Sequence, residues 1–364
     1  MKNNNKIAIV SVSLGVGGAE RFAGLLSYML HDLGYEVHNI IIMDYVDYDF
    51  KGVLVNLGKL FANEKGILKS VKKGKYIAQY LAENDIKMIV DNRSRPTITR
   101  ELLTKWIYGN RKVYYFFHSS NLEMYLTKSV FWANYIFGNA TKLICVSNEI
   151  EERLKNNYQF TNTKTIYNPV IFPESIAEKP KVIPDNYILF FGRLEEEIKN
   201  FSLLLSAYKQ TKIYENGIKL LIIGDGSSKD FILAKIKVLR LENYVQVLPF
   251  QKDILPYIQH AKCTILTSHY EGFPMSIIES LAAGTPVISV DCETGPREII
   301  QNKYNGLLVP NHDEKALVKA VLSMISDEIV YQTCKKNAQK SVAHLSLSTI
   351  EKQWQQLLSK NRIS

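Results

Sequence analysis

Twice along the chain a series of short apolar runs alternates with helix-patterned stretches, and each series opens on a run that ends at a glycine. That rhythm is the mark of a parallel α/β sheet, because parallel neighbours need a crossover of a dozen or more residues, normally a helix. The first series has strand-like runs at 6–13, 37–43, 88–91, 112–117 and 142–146. Gly15-Val16-Gly17-Gly18-Ala19 follows the first run and opens a helix over about 20–33, closed by Gly34. The second series has runs at 187–191, 219–223, 245–248, 263–266 and 286–289, with helices predicted over 200–210 and 228–241. Between the two series, residues 167–184 hold four prolines and read as a linker. The last stretch, 346–360, puts Ile350, Trp354, Leu357 and Leu358 on one helical face.

With 364 residues the chain can build two cores of about 150–200 residues each. Cys145, Cys263, Cys292 and Cys334 stand far apart with no CxxC, so reduced thiols are expected. No apolar run approaches the ~18–20 residues of a membrane-spanning helix. Lys2 and Lys6 before an apolar stretch suggest a signal peptide, but that stretch runs into glycines, Glu20 and Arg21. It reads better as a strand entering a loop, and the expectation is a cytoplasmic protein. Residues 1–170 carry 22 Lys and Arg against 15 acids, and the remainder 23 against 21, so +7 of the net +9 lies in the first part. A basic first half suits a polyanion or an anionic membrane surface. No zinc finger, RNP sequence or helix-turn-helix signature supports nucleic acid. Lys65, Lys69, Lys72, Lys73 and Lys75 are interleaved with Ile67, Leu68, Val71 and Ile77, a basic amphipathic pattern. The alternative is a solvated helix face. Phe131, Trp132, Tyr135 and Phe137 are expected in the core or a cleft wall.

Chemistry concentrates in Glu271-Gly-Phe-Pro-Met-Ser-Ile-Ile-Glu279. Pro274 suits a helix start, so residues 275–283 are predicted helical, with Glu271 in the preceding loop and Glu279 one turn inside. A helix N-terminus at Met275 and Ser276 offers N–H groups and the positive dipole end to a pyrophosphate. Main-chain N–H groups near Gly272 and Phe273 suit sugar hydroxyls, and Glu279 suits a ribose diol. Two solvated glutamates on a surface loop and helix are the plain alternative. Gly17 and Gly18 lie in the loop after the first strand, where backbone can approach a phosphate, but the GxGxxG spacing is absent. His118 closes the 112–117 run, where open sheets place ligands, and Arg93 and Arg95 close the 88–91 run as weaker candidates for an anionic ligand.

Taken together, Glu271-x7-Glu279, the Gly284-Thr-Pro-Val segment, Asn305-Gly-Leu-Leu-Val, Gly15-Val-Gly-Gly-Ala-Glu-Arg and Gly192-Arg-Leu…Lys199-Asn resemble the retaining glycosyltransferases of family 4. The resemblance runs from Ile7 to the C-terminal helix. It implies the GT-B fold: two facing Rossmann-like domains with a C-terminal helix crossing back to the first. The acceptor domain is expected at 1–170 with 346–364, the donor domain at 171–345, and the reaction in the cleft between them. It also implies that Arg193 and Lys199 clamp the donor diphosphate, that His118 faces the donor sugar, that Glu271 is catalytic together with these three, and that Gly17 and Gly18 close over the pyrophosphate.

The implied reaction moves a hexose-type sugar, with retention, from a UDP- or GDP-sugar to a lipid-linked or cell-surface glycan such as a lipopolysaccharide or polysaccharide precursor. No cofactor or metal is implied, since Arg193, Lys199 and the helix start at Met275 stand where other transferases use a cation. Asp47-Tyr-Asp49 spells DxD, but its place early in the chain does not suit a donor metal. Contact with the inner face of the plasma membrane through Lys65, Lys69, Lys72 and Lys73 goes with a lipid-linked acceptor. A nucleotide-sugar epimerase of the same fold and a non-catalytic, degenerate transferase are the alternatives.

Overall fold

The structure is a computed structural model that describes residues 5–15 and 17–360; Lys2, Val16 and the chain beyond 360, all touched by the readings above, lie outside the described residues. The chain divides into two compact units, residues 1–169 with 347–364, and residues 170–346.

In the first unit β1 (Lys6–Ser11), β2 (Glu36–Ile41), β3 (Val53–Asn56), β4 (Met88–Asp91), β5 (Lys112–Phe117), β6 (Lys142–Cys145) and β7 (Thr163–Thr165) form a parallel sheet in the order β3-β2-β1-β4-β5-β6-β7. Strands such as KIAIVS and KVYYFF are buried along nearly their whole length, as a sheet covered on both faces requires. The order reverses beside β1, which pairs with β2 on one side and β4 on the other. Four crossover helices, Gly66–Glu83, Ile98–Tyr108, Val130–Phe137 and Asn148–Tyr158, pack successively against one another as a layer. Helix Gly18–Asp32 packs instead against the C-terminal helix Leu347–Lys360. Ile350, Trp354, Leu357 and Leu358 are all buried, and the Trp354 ring stacks on Phe116 of β5 at 5.7 Å.

Two expectations for this unit need correcting. Phe137 is core, but Phe131, Trp132 and Tyr135 are exposed, because the 130–137 helix is the outer layer and has only one face to bury. Of the predicted basic stripe, Lys73 is turned inward: its ammonium donates to the Ile42 carbonyl at 2.5 Å, and burial lowers its pKa. Lys72 pairs with Glu64, and Lys65 and Lys75 are exposed.

In the second unit β8 (Tyr187–Phe191), β9 (Lys219–Ile223), β10 (Val245–Leu248), β11 (Cys263–Leu266), β12 (Val287–Asp291) and β13 (Gly306–Pro310) give the order β10-β9-β8-β11-β12-β13, again all parallel. The reversal falls beside β8, between β9 and β11. In open α/β sheets ligands settle outside the carboxyl ends of the strands at such a reversal. The proline-rich stretch before β8 has little regular structure but is tied down, with Gln259 bonding the main chain at Ser175 and Ala177. All four cysteines are free and buried.

Candidate active site

The carboxyl ends of β8 and β11 carry a polar cluster built on Lys199, Thr267, Ser268 and Glu271. β8 ends at Gly192, whose N–H donates to Ile223 O at 3.0 Å, and β9 ends at Gly224. A Cβ on Gly224 would stand 1.9 Å from Gly192 O, and its φ of 154° is one that side-chain-bearing residues avoid. Only glycine lets the two strand ends close up in this way. The turn is locked further by Leu194 N–H to Asp225 O at 2.9 Å and Ser228 N–H to Leu194 O at 2.9 Å. Arg193 rides on that turn, part-exposed, with Nη1 3.5 Å from Glu195 Oε1.

Lys199 closes the short helix Glu196–Lys199, and Asn200, in left-handed backbone with φ 52°, starts helix Phe201–Thr211 by accepting from Leu203 N–H. Thr267, directly after β11, anchors this junction: its hydroxyl donates to Lys199 O at 2.8 Å. The Lys199 side chain then reaches Glu271, with Nζ to Oε1 at 2.6 Å, and the Ser268 hydroxyl donates to the same oxygen at 2.6 Å. Both side chains of the ion pair are largely buried.

The loop under Glu271 is built by a segment that sequence reasoning missed. Glu271 N–H donates to Glu293 O at 3.1 Å, and the Thr294 hydroxyl donates to Glu271 O at 2.5 Å. Thr294 is fully buried with φ 57°, a rare conformation for a β-branched residue. A Cβ on Gly295 would meet Pro274 Cδ at 2.7 Å and Gly272 O at 2.8 Å, so the 293–295 turn fits the 271–274 loop only without one. The Thr294-Gly295-Pro296 triplet after a strand was the signal that could have drawn attention to it.

Helix Met275–Ala282 starts behind Pro274 with no side-chain cap. Phe273 and Met275 bury their side chains, so what they offer a ligand is main chain; Ser276 and Glu279 are part-exposed. Among the described residues no group of three or more His, Cys, Asp or Glu is placed to hold a metal ion.

In the first unit, Gly17 caps helix Gly18–Asp32 without any side-chain hydrogen bond, leaving main chain at its start. Asn92, just past β4, donates through Nδ2 to Ala19 O at 2.9 Å, and its Oδ1 lies 2.5 Å from His118 Nε2. With the amide nitrogen committed to Ala19, Oδ1 is the acceptor, so His118 carries its proton on Nε2 and presents Nδ1 as a lone pair. The imidazole stacks on Phe116 at 5.1 Å, and burial pushes its pKa down to about 3, helped by the Arg95 charge. It is a neutral ring.

Arg93 and Arg95 are not available to a ligand. Arg93 forms a fork with Asp91, Nε to Oδ1 at 3.0 Å and Nη2 to Oδ2 at 2.6 Å, and Tyr108 donates to the same carboxylate at 2.9 Å. Arg95 bonds the Arg93 and Phe116 carbonyls at 2.6 Å each, with its guanidinium 5.0–5.7 Å from four aromatic rings. The two arginine charges hold the fully buried Asp91 ionised, with its pKa lowered despite the cost of burial. Nearby Glu101 is pushed up by burial.

Two family models match the chain in succession: Glycosyltransferase Family 4 over residues 16–171 and Glycosyl transferases group 1 over residues 172–341. The chain is 30% identical, over 92% of its own length and 93% of the relative's, to the N-acetylgalactosamine-N,N'-diacetylbacillosaminyl-diphospho-undecaprenol 4-alpha-N-acetylgalactosaminyltransferase of Campylobacter jejuni. In fold it is similar to a Staphylococcus aureus TarM variant solved with fondaparinux, α-GlcNAc-glycerol and UDP (TM-score 0.77, 16% identity, 97% of this chain and 99% of that one). It is similar also to Anabaena HepE solved with UDP-glucose (TM-score 0.77, 19% identity, 98% and 99% covered).

Proposed function

The chain belongs to the family 4 glycosyltransferases, and on that footing we propose that it moves a hexose-type sugar from a nucleoside diphosphate sugar to a lipid-linked or cell-surface glycan, with retention and without a metal. The observation that carries this reading is the convergence of Lys199 and Ser268 on one oxygen of Glu271 at the sheet reversal of the second unit. Glu271 Oε2 is then left for a sugar hydroxyl, while the Lys199 ammonium faces the departing diphosphate together with Arg193.

Breaking the sugar–phosphate bond leaves negative charge on the nucleoside diphosphate, and preorganised cations and N–H dipoles lower that barrier. Arg193 supplies a planar fork and Lys199 a point charge. The start of the 275–282 helix, at Met275 and Ser276, adds main-chain N–H groups, with Gly272 and Phe273 directed at the sugar and Glu279 at the ribose. In the first unit Gly17 and Gly18 offer main chain to a phosphate or sugar, and the neutral His118 accepts a hydrogen bond from a hydroxyl through Nδ1. UDP is the first donor base to test, because both TarM and HepE were solved with a uridine nucleotide. A lipid diphosphate acceptor is the first to test, because the Campylobacter relative is named for one. Such an acceptor goes with a cytoplasmic enzyme working against the inner membrane face.

The deciding experiment is calorimetry and thermal shift with UDP, GDP and their sugars in the presence of chelator, followed by turnover with and without acceptor. A nucleotide at 100 times its Kd adds ~2.7 kcal/mol of stability. Donor conversion without acceptor would point to an epimerase, and no nucleotide binding at all would sink the reading.

A further inference from the structure

Two histidines meet at the carboxyl edge of the second sheet, and the transfer reading uses neither. His269 lies in the loop after β11, and His312 in the turn after β13. Their rings stand with centroids 5.2 Å apart and planes inclined by 30°. Asn311 ties the two main chains together: its Oδ1 accepts from His312 N–H at 3.0 Å and its Nδ2 donates to His269 O at 3.3 Å. His312 holds left-handed backbone with φ 62°, a strained conformation for a side-chain-bearing residue and one that clusters at functional sites. His269 N–H is fixed in turn by Ile198 O at 2.8 Å. The His269 ring is half-buried and His312 is exposed, so an ion from solvent can reach both.

We propose that His269 and His312 chelate a first-row transition-metal ion of the zinc, copper or nickel class, at a site apart from the transfer chemistry and not resting on that reading. Separation is the first argument. Imidazole nitrogen binds zinc at about 2.0–2.1 Å, which puts each ring centroid ~3.2 Å from the ion and two such centroids ~4.5–5.2 Å apart for angles from square to tetrahedral. The neighbouring carboxylates are the second argument, because they are engaged elsewhere. Both Glu196 oxygens accept from Ser202 N–H at 3.2 Å, Asp313 accepts from Ala316 N–H at 2.9 Å, and Glu314 accepts from Gln210 at 2.8 Å. Among the described residues no third His, Cys, Asp or Glu completes a metal-binding group, so water fills the remaining positions. An all-imidazole donor set selects zinc, copper and nickel over magnesium, calcium and manganese, which prefer oxygen. Burial and the adjacent His312 lower the His269 pKa against the opposite pull of Glu196, which favours the neutral ring that a metal requires.

The test is calorimetry with zinc chloride on the full chain, free of any histidine tag and stripped with chelator beforehand, with copper(II) and magnesium chlorides as comparisons. One zinc per chain is expected, with copper tighter than zinc and no heat from magnesium. His269→Gln and His312→Gln should each weaken zinc at least about tenfold, with metal-free melting temperatures unchanged. The double variant should lose little more than either single one, because removing one arm already ends a chelate. Asn311→Ala keeps both ligands but frees their spacing, and should weaken zinc by about tenfold. Zinc should raise the melting transition of the second unit in the wild-type chain and in neither histidine variant. Its affinity should fall steadily as pH drops below about 6, since the imidazoles then take protons instead. Variants that bind zinc as the wild type does, or losses that add in full in the double variant, would overturn the site. So would magnesium matching zinc, or a zinc-dependent dimer in light scattering that either variant abolishes, since the histidines would then hold ions between copies.

Discussion

Glu271 receives Lys199 and Ser268 on a single oxygen, which fixes the carboxylate's rotation and the lysine's position together. Replacing Lys199 by Ala should lower kcat by about 10²–10³ with the fold intact, because the charge acts on the departing phosphate more than on the bound sugar. Steady-state kinetics on a confirmed donor checks this, and an unchanged kcat would remove Lys199 from the diphosphate. Asn92→Ala should act through His118: the imidazole loses the acceptor that fixes its tautomer, so activity should fall while UDP binding to the second unit is kept. The histidine also links stability to pH. Its folded pKa lies near 3 against an ordinary 6.5, so below 6.5 the unfolded chain binds the extra proton. Stability contributed by the neutral ring is therefore complete above pH 6.5 and is lost as pH falls toward 3. Urea titrations at several pH values should show a shallower acid loss in His118→Gln. Glu271, Glu279, Arg193 and Lys199 could be picked out of the sequence because charged residues at strand ends and helix starts are conspicuous there. Ser268, Thr294 and Asn92 could not, since a small polar residue declares its role only once register puts it beside a partner.

At the level of elements, the C-terminal helix was readable from its apolar spacing, and Trp354 is the reason it matters. Trp354 stacks on Phe116, and Phe116 stacks on His118, so the helix at the end of the chain supports the ring at the end of β5. Trp354→Ala should cost about 3–5 kcal/mol in the first unit. Differential scanning calorimetry should show that loss in one transition and leave the other in place. Gly224→Ala should do the reverse, destabilising the second unit by more than about 1–3 kcal/mol, since the new methyl meets Gly192 O in a conformation alanine resists. The β8, β9 and β11 runs were legible because buried parallel strands are continuously apolar. β3 and β7 were not: VLVN and TKT are short edge pieces with polar residues in them. β13 hid behind its final proline, which reads against a central strand and in fact marks an edge.

Each unit of the molecule has its own sheet and its own buried core, so unfolding of the whole chain should not follow a single two-state curve. If the nucleotide binds as proposed, UDP should raise the transition that Gly224→Ala lowers and leave the transition that Trp354→Ala lowers where it was. A uniform rise of both would mean that nucleotide contacts are shared more evenly than the second-unit cluster suggests. That the chain would make two sheets could be read from the restart of its strand rhythm near residue 187. The ownership of residues 347–360 could not be read from rhythm alone, because an amphipathic stripe does not say which core it completes. That ownership has a consequence for biosynthesis. The ribosome delivers residues 1–169 first, yet the Trp354 that fills their core emerges only after the entire second unit has been made. Domains generally fold as units while the chain is being made, so the half synthesised first is the half finished last, and until then the nascent chain carries an open apolar slot over Phe116.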